Sequence, residues 1–439
     1  MGTLELGMKA PARKEIAFRD YFFKFSDINF GIVLVGIFFL FDFGSFQGVF
    51  EIVDTLRLPF ILASISVLYA TYLIITNLSE FKHETTRRFL FFISYFLIYS
   101  FISTISPERK TTNFTELLQY TANYIIIVNC VRTPTQFILL IDILLASILH
   151  SSFHAFVQGG KLYDSIWLRD ENHISLIATM GIPFAYIFYN ESTSRAKKIC
   201  YLVCFCFYIT VTLVAASRGG GLALAAATLL SMRLYRNKKM RNLFMAVIAV
   251  LLIIVFGAKF IYEMGTLKEG TREGTASSRI HLWGLALEMF YDHPIIGVGP
   301  MNYTERFPEY DRGRLNPEHP EFKYATHSTP MQWLAETGVI GTMVFLLLQA
   351  SLYRNWKVVK LHDPYSASDA SRINHSFLQK LVHACAISQV AFWVGALFLS
   401  LIGYPFYWPL IALSESCKRI YCNHSCDDSD PRKYQKTSK

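Results

Sequence analysis

The chain has 439 residues, of which 52% are hydrophobic, 15% aromatic and 17% charged, with a formal net charge of +9. An ordinary soluble domain carries roughly 25% charged residues, and a soluble chain this apolar would expose patches that monomers rarely tolerate. Collagen-like, disordered and disulfide-stapled classes are excluded, and because the positive charge is spread between apolar blocks and the chain ends, nucleic acid is not an expected partner.

In chain order, residues 1–27 are mostly polar and basic. A bilayer core needs about 20 apolar residues per helix. Spans are predicted at 28–46, 58–78, 89–106, 115–131, 136–157, 173–190, 199–217, 219–232, 242–262, 338–353, 378–396 and 398–416. The last two share one apolar stretch with a turn between Gly395 and Pro405. Strict alternation is absent, which argues against an outer-membrane barrel. The expected fold is an all-α polytopic membrane protein of about 12 transmembrane helices. Residues 28–262 form helices 1–9, and 263–337 a large outside loop with short amphipathic helices. Residues 338–416 form helices 10–12, and 417–439 a basic tail.

Lys9, Arg13, Lys82, Arg87, Arg88, Arg132, Arg195, Lys197, Lys198, Arg233, Lys238, Arg354, Lys380 and Arg432 all fall on one side of this layout. The positive-inside rule makes that side cytoplasmic and places both termini there. The first apolar run lacks a small-residue exit site and reads as a retained signal anchor. The long outside loop holds no cysteine, so no disulfide is expected there. The Cys417, Cys422, His424, Cys426 cluster matches no common zinc template, and no metal site is assigned.

Arg218 is the first residue with chemical content. Residues 200–232 at ~1.5 Å rise cover ~50 Å, less than two crossings of a ~30 Å core. The Ser217-Arg218-Gly219-Gly220-Gly221 segment therefore sits near the outer surface. An arginine at that depth marks a pathway or a binding site more often than not, the bland alternative being a snorkelling side chain. The N–H groups of the following helix start would suit an anion, phosphate above all.

In the outside loop, Ser277 and Ser278 are expected to cap a helix that begins at Arg279, with Ile280, Trp283, Leu287 and Phe290 as its apolar stripe. That helix stops at Asp292-His293-Pro294. Arg279 at a helix start opposes the macrodipole, a conflict that a bound anion would remove. A second short helix is expected from a Thr329 cap and Pro330 to about Glu336, closed by Gly338. His327 stands just ahead of it, and an imidazole with a pKa near ~6.5 suits a general base. Glu336 is out of phase with it and is not expected to be its partner. Arg169 belongs to a polar knot, Arg169-Asp170-Glu171-Asn172-His173, at the outside start of the sixth span. The knot reads as a cap, with Arg169, Gly219, Gly220, Tyr303 and Arg312 as possible cavity-lining residues. No Walker motif, dinucleotide fingerprint, zinc-protease motif or nucleophile elbow occurs.

These elements together resemble a known family. Ser217-Arg218-Gly219 lies at an outside junction, and the loop opens with Ser277-Ser278-Arg279-Ile280-His281-Leu282-Trp283. It continues as His293-Pro294-Ile295-Ile296-Gly297-Val298-Gly299, and closes with Ala325-Thr326-His327-Ser328 and Leu334-Ala335-Glu336-Thr337-Gly338. The string, over roughly residues 165–350, is similar to that of the O-antigen ligase and O-antigen polymerase superfamily of bacterial inner-membrane glycan transferases. The resemblance implies a GT-C-like, metal-independent, inverting glycosyltransferase that needs no cofactor. Its donor would be an undecaprenyl-diphosphate-linked glycan at the periplasmic face. The acceptor would be a lipid A–core sugar hydroxyl for a ligase, the preferred reading, or a second lipid-linked glycan for a polymerase. Arg218 and Arg279 match the arginines that hold the diphosphate, and His327 the histidine that deprotonates the acceptor. A transporter of the same glycan is disfavoured, since the special residues of the second half gather in one loop.

Overall fold

The computed structural model describes residues 27–46, 53, 55–77, 81–163, 165, 168–234, 276–361, 369–401 and 404–427. The span expected at 242–262, the segment 1–26 and the tail beyond 427 lie outside the described residues. The described secondary structure is helical throughout, without strands. In chain order the helices are α1 (Phe30–Asp42), α2 (Leu58–Thr76), α3 (Glu84–Ser103), α4 (Pro107–Cys130) and α5 (Pro134–Val157). They continue as α6 (Glu171–Glu191), α7 (Arg195–Val214), α8 (Arg218–Met232), α9 (Ala276–Asp292) and α10 (Tyr303–Asp311). The last three are α11 (Thr329–Leu361), α12 (Asp369–Ala396) and α13 (Tyr407–Asp427).

Local chemistry sets several starts. Asn29 accepts from Ile32 N–H at the head of α1. Thr133 and Gln136 form a reciprocal capping box at α5, with Pro134 in the first turn. Such side chains satisfy N–H groups that a helix start otherwise leaves unpaired. The last expected span, 398–416, is displaced: α12 ends at Ala396 and α13 starts at Tyr407. The intervening chain spends its apolar residues on an irregular turn, which hydropathy cannot tell from a helix.

α6 lies at the centre, packed against α5, α7, α8 and α12. Its residues from Ile174 to Ala185 are buried on every side, the pattern of a helix surrounded by protein. By contrast Leu68 (72%), Ile75 (72%) and Ile102 (73%) on the outer helices face away from the chain. An apolar girdle of this kind fits a bilayer. Five helices are long and apolar enough to cross one: Leu58–Thr76, Pro134–Val157, Arg195–Val214, Thr329–Lys357 and Ser376–Ala396. The chain is a helical membrane protein.

One end of the bundle is fastened by a buried polar cluster. Glu415 of α13 accepts from Arg419 Nε (3.0 Å) and from Asn355 Nδ2 of α11 (2.8 Å). Arg419 also donates to Thr86 Oγ1 of α3 (2.9 Å) and to the Val128 carbonyl of α4 (3.2 Å). A buried carboxylate needs such partners.

The opposite end carries a module with its own core. Leu282, Leu285, Ala286 and Met289 of α9 pack on Val298, Tyr303, Phe307, Leu315 and Ala335. Two expectations are corrected here. α9 is already helical at Ala276, so Ser277 and Ser278 lie inside it rather than capping at Arg279. The stripe expected at Ile280, Trp283, Leu287 and Phe290 is not the core-facing one, and Ile280 is exposed. α9 is apolar on two faces, and only tertiary packing chooses between them.

Gly338 breaks α11, with φ 61° and ψ −160°. The expected stop at Gly338 therefore holds, although the helix resumes beyond it. The break leaves carbonyls above and N–H groups below without partners. The turn 294–299 supplies partners for four of them. Val298 and Gly299 N–H donate to the Ala335 and Glu336 carbonyls (both 2.9 Å). In return Val339 and Ile340 N–H donate to the Pro294 and Ile295 carbonyls (2.9 and 3.1 Å). Asn302 then ties the turn to α3, donating to the Ser103 carbonyl (2.7 Å) and accepting from Ile105 N–H (3.0 Å).

Candidate functional site

The turn between α12 and α13 is where the candidate residues meet. Ser217 caps α8, its Oγ accepting from Gly220 N–H at 2.9 Å. The same hydroxyl donates to Asn172 Oδ1 (2.6 Å), and Asn172 Nδ2 donates to Asp170 Oδ1 (2.6 Å), the cap of α6. The polar knot thus acts as a cap and also fixes the head of α8. One N–H that the sequence reading offered to an anion is taken by Ser217. The Arg218 backbone opens α8, while its side chain lies outside the described residues.

Gly219 and Gly220 are buried and serve as close-approach points rather than as lining. A Cβ on Gly219 would lie 3.1 Å from Phe398 Cβ, and one on Gly220 2.4 Å from Ser175 Cβ. Gly220→Ala is therefore expected to force α6 and α8 apart, and adding Ser175→Gly should recover part of the loss. Thermal unfolding of the two single variants and the double variant measures the coupling, and simple additivity would refute the contact.

His327 reaches the same turn from the other side. Its backbone N–H donates to Ser400 Oγ (3.0 Å), and Thr326 Oγ1 pairs with Ser400 Oγ (2.9 Å). Thr329 does not use its hydroxyl as a cap, as the sequence suggested. It donates to the Leu399 carbonyl (2.6 Å) and accepts from Leu401 N–H (3.0 Å). His327 is thereby held at φ 49°, a left-handed conformation that His adopts more readily than most residues. Phe398, against Gly219, and Ser400, against His327, are two residues apart, so the head of α8 and the histidine flank one turn.

α9 approaches with Arg279 and Trp283 on one face, a turn apart. Trp283 Nε1 donates to the Thr326 carbonyl (3.1 Å), next to His327. Arg279 is half-buried. The head of α8 and His327 thus flank the segment 398–401, and α9, which carries Arg279, reaches Thr326 through Trp283.

The remaining candidates lie elsewhere. Tyr303 is sealed in the module core, its hydroxyl on the Leu282 carbonyl (2.9 Å), and burial beside Asp311 and Glu336 raises its pKa. It lines no open space. Arg169 is exposed one residue ahead of the Asp170 cap. Arg312 lines a separate cleft on the module. Glu336 is buried and accepts from Met301 N–H (2.9 Å) and Tyr303 N–H (3.1 Å), which ties it to the 299–303 turn. His281 Nε2 lies 2.6 Å from buried Asp311, joining α9 to the end of α10. Ser400 was not singled out in sequence, and Asn172 and Trp283 were read there only as members of a polar knot and an apolar stripe, for each matters through a partner distant in the chain. Among the described residues, no group of three or more His, Cys, Asp or Glu side chains is placed to hold a metal ion.

Below the turn, a cavity of about 940 Å³ runs between α8, α11 and α12. Trp356, Trp393, Val390 and Leu397 line it, with Arg233 and His383 at the far end. Its upper end at Leu397 adjoins Phe398.

Residues 202–346 match the family model for O-Antigen ligase. The match supports the O-antigen ligase and polymerase superfamily. It runs from α7 into α11 and spans Arg218, Arg279 and His327. No curated protein matches the chain. The matched segment thus contributes the head of α8, the module and the His327 segment, whereas Asn172 and Ser400 lie outside it.

Proposed function

We propose that this protein is an O-antigen ligase, which transfers a glycan from undecaprenyl diphosphate to a sugar hydroxyl of lipid A–core. The reaction takes place at the periplasmic face of the bacterial inner membrane, with both termini cytoplasmic. The observation that carries the reading is the shared 398–401 turn, flanked by Gly219 of the Ser-Arg-Gly segment and by His327. Arg218 and Arg279 hold the diphosphate, since guanidinium groups make paired, charge-assisted contacts to phosphate oxygens. The acceptor hydroxyl attacks the anomeric carbon as its proton passes to His327. The bond from that carbon to the diphosphate oxygen breaks, and undecaprenyl diphosphate leaves with the electron pair. Attack opposite the leaving group inverts the centre. Fixed cations aimed at the charge that develops there lower the barrier, so the reaction needs neither metal nor cofactor. The apolar cavity below Phe398 suits a polyprenyl tail in chemistry and position.

The layout of charge supports the orientation. Lys82, Arg88, Arg132, Lys198, Arg354, Lys380 and Arg419 lie toward the end of the bundle opposite the module, as expected of a cytoplasmic face.

The test is reconstitution of the purified protein in vesicles with a defined undecaprenyl-diphosphate glycan, offering lipid A–core and a second lipid-linked glycan together. Glycan on lipid A–core is the expected product. Elongation of the lipid-linked glycan alone would make the protein a polymerase, and no transfer to either would reject the reading.

A further inference from the structure

The module carries a second concave feature, remote from the 398–401 turn. It is a cleft of about 510 Å³ lined by Glu288, Tyr291, Asp292, Tyr310, Arg312 and Arg314. Its volume falls within the ~300–1,000 Å³ typical of small-molecule sites. The cleft is at the C-terminal end of α9. Arg279 and Asp292 are thirteen residues apart, ~20 Å along the axis, and on different faces of the helix.

The chemistry of the lining is specific. Two carboxylates face two guanidinium groups, so the formal charges cancel. Phosphate would meet Glu288 and Asp292, and a metal ion would meet the two arginines. A neutral polyhydroxyl ligand meets neither penalty, because each hydroxyl both donates and accepts. Tyr291 adds a largely exposed ring (73%), an apolar face on which the C–H side of a sugar ring can lie.

The polar groups are also held in place before a ligand arrives. Arg314 donates to the Tyr310 carbonyl (2.6 Å) and the Asp311 carbonyl (3.0 Å), and lies 3.5 Å from Glu288. Arg312 closes α10 in the left-handed conformation, its N–H on the Pro308 carbonyl. Burial and a hydrogen bond to Asp292 push the Tyr310 hydroxyl up to about 12, so it remains a donor at neutral pH.

We infer that this cleft is a glycan-binding subsite, which holds sugars of the transferred chain several units away from the reacting end. The inference rests on reading the protein as a glycan transferase. It assigns the module a role in gripping the chain, separate from the chemistry at the 398–401 turn.

Direct binding tests it. The probe is the oligosaccharide released by mild acid from the producing cell's own lipid-linked glycan, free of lipid and phosphate. Its affinity for the purified full-length protein is measured by calorimetry, with saturation-transfer NMR locating the contacted sugars. Tyr291→Ala combined with Arg312→Gly should weaken binding at least about 10-fold, the effect of losing one well-made contact. Glycine suits the left-handed position of Arg312, so the fold is kept, which an unchanged unfolding temperature verifies. His327→Asn should bind the probe as tightly as the wild type. Undiminished affinity in the double variant, weakened binding in His327→Asn, or no binding by the wild type would each overturn the inference. Binding without any transfer activity would leave the cleft standing and remove the proposed function. Transfer without probe binding would do the reverse.

Discussion

Replacing His327 by Asn is expected to lower glycan transfer by about 10²–10⁴-fold, the usual contribution of a positioned general base. The unfolding temperature should stay where it is. Asn is the informative substitution because His327 sits at φ 49°. Alanine is disfavoured there relative to His, whereas Asn visits this region readily. Asn also keeps the N–H bond to Ser400, so the strand that carries it should remain seated. Reconstituted transfer under saturating donor separates chemistry from binding: the fall should appear in kcat with little change in KM for the donor. A near-normal kcat would remove His327 from the proton transfer.

Gly338→Ala is expected to produce the largest loss of stability. At φ 61° and ψ −160° the residue occupies a region essentially reserved for glycine. A Cβ there would lie 2.6 Å from Gly297 N and from the Ile295 carbonyl carbon and oxygen. These are backbone atoms that cannot rotate away. The expected cost is about 3 kcal/mol or more, from backbone strain and overpacking together. The four hydrogen bonds between the turn 294–299 and the break in α11 would open, and limited trypsin digestion should cut near Arg312 and Arg314 far sooner than in the wild type. Wild-type resistance to digestion would show that the turn does not depend on this glycine.

Much of this was legible in the sequence because it is written locally. Apolar blocks located most of the described helices, Gly338 announced the stop before residue 339, and the three glycines after Arg218 announced a helix start. The misses share one physical cause. Thr329 has the look of a cap, yet its hydroxyl is spent on Leu399 and Leu401, partners some seventy positions away that no local pattern reveals. α9 offers two apolar faces, and periodicity alone could not say which the module would bury. Tyr303 looked available to a ligand because burial by Phe307 and Leu282 is a property of the assembled module. The span boundary near residue 398 was lost because the turn is as hydrophobic as the helices it joins. That turn is also the one on which the candidate site is built, so composition conceals the feature of greatest functional interest.

The paired exchange of N–H and carbonyl groups between 294–299 and the interrupted α11 has a mechanical consequence. The module is geared to the bundle and does not hang from it on a tether. Any tilt of the lower half of α11 is handed on, through Val339 and Ile340, to the turn and so to α9. Exchanging such modules between homologous proteins therefore calls for crossover points beyond both halves of the exchange, ahead of residue 294 and past residue 340. A graft cut at the visible loop edges would leave the gear without its teeth.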